Sequence, residues 1–172
     1  MKDKLAAIRL LLLDVDGIMT DGRIIYDQHG NELKAFDVKD GHGLKLLQRA
    51  GIRVGIITGR TSDVVSRRAT ELGIDILYQG AKVKLDPYRE IRAATGLADH
   101  QIAYMGDDLV DLPILRRVGF SVTVADAVPQ LAGLVDYVTE RAGGRGAVRE
   151  VCDLLLQAGG HWDDLTARYF SA

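Results

Sequence analysis

The sequence predicts an α/β fold, a Rossmann-like, doubly wound parallel sheet from which one β-hairpin projects. Three observations favour this fold. Short apolar runs alternate with helix-like segments along the chain, which is the order that β-α units require. The runs are almost continuously apolar, as in strands that helices cover on both faces. Most helix-like segments are followed by a glycine suited to a helix C-cap, and 172 residues suffice for one domain with its own core.

The individual elements follow from this pattern in chain order. The predicted strands are residues 8–13, 52–57, 74–78, 102–105 and 121–124. The predicted helices are residues 43–50, 62–72, 87–95, 108–118 and 147–157. Asp86 before Pro87 is interpreted as a helix N-cap. Residues 23–38 hold two half-apolar stretches about a QHGN turn, which predicts the hairpin. Residues 1–172 should form one domain, with residues 160–172 as a C-terminal tail.

Charge and cysteine content exclude several classes of partner. The 22 basic and 24 acidic residues give a net charge of −2, which argues against nucleic acid or a membrane surface as partner. No apolar segment approaches the roughly 20 residues needed to span a bilayer. The single Cys152 cannot form an intrachain disulfide, and residues 1–9 are too short and polar for a signal peptide. We therefore expect a cytoplasmic protein with a small-molecule or protein partner.

Polar residues follow the predicted strands at positions that a parallel sheet brings together. They are Asp14 and Asp16 after the first strand, Thr58 and Gly59 after the second, Lys84 before the third helix, and Asp107, Asp108 and Asp111 after the fourth strand. Because the carboxyl ends of parallel strands share one crevice, these four sets should meet.

The residue types predict a phosphoryl-transfer site. Clustered carboxylates repel one another unless a cation is present, and oxygen ligands without His or Cys favour Mg²⁺. Thr58, Gly59 and Lys84 offer a hydroxyl, a backbone N–H and a positive charge to phosphoryl oxygens. Asp14 is the expected nucleophile, which forms an aspartyl-phosphate. Asp16 is expected to protonate the leaving oxygen and then to deprotonate the attacking water.

The motifs DVDGIMTDG, ITGR, the lysine of QGAKVK and GDDLVD resemble the four motifs of the haloacid dehalogenase superfamily, over about residues 10–149. The resemblance implies that Mg²⁺ is bound by the Asp14 carboxylate, the Asp16 backbone carbonyl and Asp107, with Asp108 and Asp111 in support. The intervals between the motifs leave no room for an inserted cap domain, so the cap-less type is implied. The alternative for Asp108 and Asp111 is that they simply start a helix, because carboxylates are favoured at the N-terminal end of the helix dipole.

Longer stretches resemble the family of phosphatases that act on 3-deoxy-D-manno-octulosonate (KDO) 8-phosphate in lipopolysaccharide biosynthesis. These stretches are DVDGIMTDGRIIYDQHGNELKAFDVKDGHGLK, ITGRTSDVVSRRATELGI, YQGAKVK and GGRGAVREVCDLLL. The resemblance implies substrate contacts at Asp37, Val38, Lys39, Asp40, Gly41, Lys45, Arg60, Arg68 and Lys84, to which Asp16 and Gly59 are added beside the phosphate. Arg68 has an alternative as part of a solvated helix face.

Two other functions compete with this one. A receiver domain of a signalling protein also combines acidic residues, Thr, Lys and Mg²⁺. In a receiver domain, a pair of adjacent acids comes first and the phosphorylated Asp comes later, before Thr and Lys. In this chain, the Asp-x-Asp pair comes first and the second acidic cluster comes last. The same hydrolytic chemistry on a nine-carbon, sialic-acid-type 9-phosphate stays open, because substrate discrimination depends on contacts that a sequence does not place.

Without a cap domain, the crevice needs another cover. We expect the hairpin and a neighbouring subunit to supply it, in a homo-oligomer and, by resemblance, a homotetramer. Ile24, Ile25 and Phe36 of the hairpin are the predicted interface. Arg141 and Arg145 of ERAGGRG could meet an anionic sugar acid in their own or a neighbour's site. The alternative for ERAGGRG is an ordinary loop before the last helix.

Overall fold

The computed structural model describes residues 1–170, and the predicted fold class is confirmed. The strands are β1 Leu10–Leu13, β2 Ile25–Tyr26, β3 Glu32–Leu33, β4 Arg53–Ile57, β5 Ile76–Tyr78, β6 Ile102–Met105, β7 Phe120–Thr123 and β8 Tyr137–Val138. The α-helices are α1 Lys2–Ala6, α2 Val38–Arg49, α3 Asp63–Leu72, α4 Leu85–Thr95, α5 Leu112–Leu115, α6 Ala147–Ala158 and α7 Trp162–Phe170. Six strands form a parallel sheet in the order β5-β4-β1-β6-β7-β8.

Strand β1 lies inside the sheet because all four of its leucines are buried. Successive side chains of a strand point to opposite faces. Leu11 and Leu13 accordingly pack with apolar residues of α2, α3 and α6, whereas Leu10 and Leu12 pack with those of α4 and α5. Helices thus cover both faces of the sheet, which explains why the strands read as continuous apolar runs.

The register of the sheet aligns the carboxyl ends of its inner strands. Leu13 at the end of β1 pairs with Ile56 of β4 on one side and with Met105 of β6 on the other. The residues that follow, Asp14 and Gly106 among them, therefore leave the sheet at the same edge. This is the edge where ligands bind in open α/β sheets.

Several boundaries differ from those predicted. Helix α2 begins at Val38 rather than at residue 43, because Asp37 caps it by accepting the N–H of Lys39 at 2.7 Å. The prediction that Asp86 is the N-cap of α4 is wrong, because Lys84 holds the N-cap position and Asp86 lies in the first turn of the helix. The predicted helix 108–118 is instead a 3-10 turn, Leu109–Asp111, followed by α5.

Three elements, α1, β8 and α7, have no counterpart among the predicted ones. Helix α7 occupies residues 162–170 of the expected C-terminal tail, and residues 171–172 of that tail lie outside the described residues. Within residues 1–170, no helix combines the length and the apolar character that crossing a membrane requires.

The hairpin stands apart from the main sheet. Strands β2 and β3 pair antiparallel, with Ile25 opposite Leu33 and Tyr26 opposite Glu32. Each strand has only two residues, and the turn between them is closed by Asp27, whose Oδ1 accepts the N–H groups of His29 and Asn31. A ribbon this short is marginal in water unless other contacts hold it.

Candidate active site

Lys84 joins two of the predicted motifs at the carboxyl edge of the sheet. Asp14 directly follows β1 and is buried, as is Lys84 at the start of α4. The Lys84 ammonium lies 2.7 Å from Oδ2 of Asp14 and 2.6 Å from Oδ1 of Asp111. Burial by itself would lower the pKa of Lys84, but the two carboxylates outweigh burial and raise it. Lys84 is therefore a fixed cation directed at the predicted nucleophile.

Asp111 organises this part of the site, although the family resemblance implied only a supporting role for it. It is fully buried, and its Oδ1 also accepts the hydroxyl of Tyr104 at 2.5 Å. Its Oδ2 accepts the backbone N–H groups of Asp107 and Asp108 at 3.1 and 3.3 Å. Sequence reasoning missed Tyr104; a lone hydroxyl in the apolar strand IAYM was the available signal, because a buried tyrosine needs a hydrogen-bond partner.

Three carboxylates form a cluster that fits a divalent cation. One oxygen each of Asp14, Asp107 and Asp111 lies within 4.8 Å of the others. Burial raises the pKa of Asp14 to about 6, against the opposing charge of Lys84. Burial and then the charge of Asp14 raise the pKa of Asp107 to about 7. A cation would relieve this repulsion, and an all-oxygen donor set suits Mg²⁺.

Asp108 is placed differently from Asp107. It is exposed, and its Oδ1 accepts the N–H of Leu109 at 2.6 Å at the start of the 3-10 turn. Asp108 thus makes the capping contact that is expected if its role is to begin the helical turn.

Gly17 sits where a side chain would collide with Asp107. Its φ is 88°, and a Cβ built on it would lie 1.9 Å from Oδ2 of Asp107. On its other side, a Cβ on Gly143 would lie 1.7 Å from the carbonyl oxygen of Gly17, and the N–H of Gly144 donates to Ile18 at 2.9 Å. We call residues 143–144 the glycine strap, because they close against the loop that follows β1.

Asp16 contacts the hairpin of its own chain. Its Oδ1 accepts a hydrogen bond from the ammonium of Lys34, and its Oδ2 lies 3.7 Å from Nε of Arg60. Glu32 joins the same group, with Oε1 at 3.4 Å from Lys34 and at 3.0 Å from Arg60. Ser62, the N-cap of α3, donates its hydroxyl to Glu32, and this bond is the largest contribution that lowers the pKa of Glu32.

Sequence reasoning missed Glu32 and Lys34. The available signal was strand alternation, because residues two apart share one face of a strand. Leu33 between them is half exposed, whereas the side chains of Glu32 and Lys34 point inward.

The structure brings Thr58, which was predicted as a catalytic residue, and some predicted substrate contacts to this edge. Thr58 is buried directly after β4, where its N–H donates to Tyr78, and Gly59 is exposed next to it. Arg60 reaches Asp16, as described. Val38 and Lys39 are exposed in the first turn of α2.

Three other predicted contacts have partners within the fold. Asp40 is buried, and its Oδ1 accepts the N–H of Arg149 in the first turn of α6 at 2.7 Å, so it ties α2 to α6. Arg68 packs over the ring of Phe36, with its guanidinium carbon 5.6 Å from the ring centre. Gly41 makes room for Arg68, because a Cβ there would lie 2.3 Å from the guanidinium.

Lys45 is not brought to the site within this chain. Its ammonium lies beside Gly73 at the end of α3, and its side chain lines a cavity with Arg53, the first residue of β4. That cavity is at the amino edge of the sheet, opposite to Asp14. The reason is the direction of α2, which starts at the carboxyl edge and runs away from it.

Arg145 lies near the loop that follows β1. Its guanidinium is exposed and 3.8 Å from the carboxylate of Asp21. The ERAGGRG segment therefore borders the site of its own chain.

Comparison with known proteins agrees with this geometry. The haloacid dehalogenase-like hydrolase family matches residues 38–119. The chain is 52% identical over 157 residues to 3-deoxy-D-manno-octulosonate 8-phosphate phosphatase KdsC of Escherichia coli strain K12, which covers 91% of this chain and 84% of that protein. The chain belongs to this phosphatase family.

Two solved members of the family superpose closely on this chain. The enzyme from Yersinia pestis has a TM-score of 0.92 at 51% identity, over 93% of this chain and 86% of that chain. The enzyme from Moraxella catarrhalis, solved in complex with a magnesium ion, a phosphate ion and a KDO molecule, has a TM-score of 0.95 at 45% identity, over 98% of this chain and 97% of that chain.

Proposed function

We propose that this protein is a Mg²⁺-dependent phosphomonoesterase that hydrolyses KDO 8-phosphate to KDO and phosphate in lipopolysaccharide biosynthesis. The observation that carries the proposal is the position of Lys84 between Asp14 and Asp111, beside Asp107, in a chain 52% identical to KDO 8-phosphate phosphatase. A receiver domain has no support, because the chain belongs to a family of hydrolases.

The first chemical step uses Asp14 and Asp16. An oxygen of Asp14 attacks phosphorus, the bond between phosphorus and the sugar oxygen breaks, and Asp16 gives its proton to that oxygen. Asp14 is aligned for this attack because its Oδ1 accepts the N–H of Val15 at 2.7 Å while Lys84 holds Oδ2. Thr58 and the N–H of Gly59 stabilise the phosphoryl oxygens.

The second step returns the protein to its starting state. Asp16 takes a proton from water, the water oxygen bonds to phosphorus, and the bond from phosphorus to Asp14 breaks, which releases phosphate. When bound, Mg²⁺ neutralises negative charge on the phosphoryl group and the carboxylates. Asp14, the backbone carbonyl of Asp16 and Asp107 would hold it, with Asp111 behind them.

We further propose that the sugar is held by the start of α2 and by arginines near it. The proposed contacts are Asp16, Asp37, Val38, Lys39, Asp40, Gly41, Lys45, Gly59, Arg60, Arg68, Lys84 and Arg145. Within one chain, Lys45 lies at the opposite edge of the sheet from Asp14. Its proposed contact with the sugar would therefore be made in the site of a neighbouring subunit. The nine-carbon substrate is the second candidate of the same chemistry, whereas the named relatives favour the eight-carbon one.

A substrate panel tests the function. Purified protein with Mg²⁺ is assayed for phosphate release from KDO 8-phosphate, a nine-carbon sialic-acid-type 9-phosphate, glucose 6-phosphate and p-nitrophenyl phosphate. We expect the highest kcat/KM for KDO 8-phosphate, loss of turnover in EDTA, and recovery with Mg²⁺. A higher kcat/KM for the nine-carbon ester would favour the second candidate, and hydrolysis in EDTA would contradict the metal site.

We propose that the protein acts in the cytoplasm as a homotetramer. Support comes from the hairpin, where Ile24, Ile25, Tyr26 and Leu33 are between 43% and 58% exposed, an unusual apolar surface for so small a ribbon. Of the residues predicted for this interface, Phe36 is instead partly buried against the core and Arg68. A neighbouring subunit that packs on the hairpin would exclude water from the site.

Light scattering tests the assembly. Wild type should have the mass of a tetramer, and Ile24→Glu should dissociate and lose activity together. An active monomer would contradict the shared site. Arg145→Ala should raise KM for the anionic sugar phosphate, whereas Arg89→Ala, an exposed arginine on α4, should not; equal kinetics for both variants would remove Arg145 from the site.

A further inference from the structure

Lys34 is a buried cation that no step above uses. Its side chain is only 1% exposed, although it belongs to a projecting hairpin with two residues per strand. Removing an ammonium from water is costly unless carboxylates compensate. The compensation comes from Asp16, which Lys34 hydrogen-bonds, and from Glu32 at 3.4 Å. The hairpin is thus anchored through the side chain that is expected to move the proton.

The two oxygens of Asp16 are in different surroundings. Oδ1 accepts the hydrogen bond from Lys34, whereas Oδ2 lies 3.7 Å from the Nε of Arg60, which is longer than a hydrogen bond. The charges also balance, because Asp16 and Glu32 face Lys34 and Arg60. Lys34 therefore fixes the orientation of Asp16 and brings the net charge of these four side chains to zero.

We infer that Lys34 is a positioning residue, which holds Oδ1 of Asp16 so that Oδ2 can exchange its proton with the leaving oxygen and with water. This inference rests on the proposed function. Lys34 touches neither the phosphate nor the metal in this scheme and acts through Asp16 alone. Glu32 supports it by holding Lys34 in place and by linking the hairpin to Ser62 and Arg60.

A leaving-group series separates this role from simple anchoring of the hairpin. Phenyl phosphate needs a proton on its leaving oxygen, whereas p-nitrophenolate is a stable anion that leaves without one, and the two esters have similar size. For Lys34→Met, kcat/KM for phenyl phosphate should fall about tenfold to a hundredfold, which is part of the roughly 10²–10⁴-fold that acid-base catalysis contributes, while that for p-nitrophenyl phosphate should stay nearly unchanged. Equal losses for the two esters would overturn the inference.

The matched control is Lys4→Met. Lys4 also pairs with an aspartate, Asp136 at 2.6 Å, but at the amino edge of the sheet. This variant should leave both esters unaffected. If Lys34→Met does not fold, Glu32→Gln supplies the test, because it removes the second carboxylate that pairs with Lys34. For this variant too, kcat/KM should fall more for phenyl phosphate than for p-nitrophenyl phosphate. If the ratio of the two kcat/KM values equals that of wild type, the inference is overturned.

A double-mutant cycle shows whether Lys34 acts through Asp16. In an Asp16→Asn background, Lys34→Met should have no further effect on phenyl phosphate, because residues that act as a unit are not additive. Additive losses would refute the inference. Failure of the proposed function would give a different result, because wild type would then release no phosphate from either ester. Failure of this inference would leave wild type active, and Asp16→Asn would still lose more activity toward phenyl phosphate than toward p-nitrophenyl phosphate.

Discussion

Gly17→Ala should weaken metal binding and lower turnover, whereas Gly51→Ala should affect only stability. Both glycines have positive φ, 88° for Gly17 and 79° for Gly51. A left-handed conformation costs an ordinary residue roughly 1–2 kcal/mol, so both variants should lose about that much free energy of unfolding. A Cβ on Gly51 meets no atom of residues 1–170 within 4 Å, so the loss of stability should be its whole effect.

At Gly17 the new Cβ also meets Asp107. It would lie 1.9 Å from Oδ2, and real Cβ atoms essentially never approach closer than 3.0 Å, so the carboxylate or the loop has to move by more than 1 Å. Mg²⁺ holds its oxygens at about 2.0–2.1 Å and tolerates deviations of about 0.2 Å. Asp107 would thus be lost as a ligand. We expect turnover to fall by a factor on the order of 10² or more.

Three measurements on both variants check this reasoning. Calorimetric titration with Mg²⁺ reports the metal site, phosphate release reports turnover, and urea unfolding reports stability. Both variants should lose stability, and only Gly17→Ala should also lose metal affinity and activity. The reasoning is refuted if Gly17→Ala binds Mg²⁺ as wild type does, or if Gly51→Ala is equally inactive.

Three further predictions concern buried polar groups. Asp14→Asn should fold normally but retain less than about 1% of wild-type phosphate release, because an amide is not a nucleophile; higher activity would contradict the assignment. Tyr104→Phe should lower kcat with little change in KM, because it removes the hydrogen bond to Asp111. The control is Tyr88→Phe, which loses a 2.5 Å hydrogen bond to Asp99 far from the site and should keep its kcat. Both variants should lose comparable stability, about 1.5–3 kcal/mol in urea unfolding. Burial raises the pKa of Asp40 from 3.8 to about 6, so the folded chain binds this proton more tightly than the unfolded chain does, and the free energy of unfolding should fall as pH rises between these values. In Asp40→Asn that fall should be smaller; an identical pH dependence would contradict the shift.

The sheet and the motif residues could be predicted because local pattern decides them. LLLL is apolar on both faces, so β1 had to be an inner strand, and Asp14 had to leave it at the carboxyl edge. Strand β8 could not be predicted, because two residues show no periodicity. The start of α2 was missed because the cap of Asp37 precedes a glycine-rich first half, which argued against a helix there.

The connections within the site could not be predicted, because they join side chains that the sequence separates. Lys34 and Asp16 meet only when the hairpin folds back over the loop after β1. Asp111 became central only through Tyr104 and Lys84, whose distances depend on the packing of β6 against α4. The position of Lys45 could not be predicted either, because its place in a motif did not reveal that it lies away from the start of α2.

The glycine strap determines when, during synthesis, the chain can become active. Translation proceeds from the amino terminus, so all four motifs leave the ribosome before residues 143–144 do. Until then the loop that carries Gly17 lacks the hydrogen bond from Gly144 to Ile18 and the close packing of Gly143. The packing around Gly17 and Asp107 is therefore completed by a segment that follows all four motifs in the chain. Nascent copies, and copies truncated before residue 143, should be silent toward phosphate esters, so that hydrolysis begins only after this segment has been made.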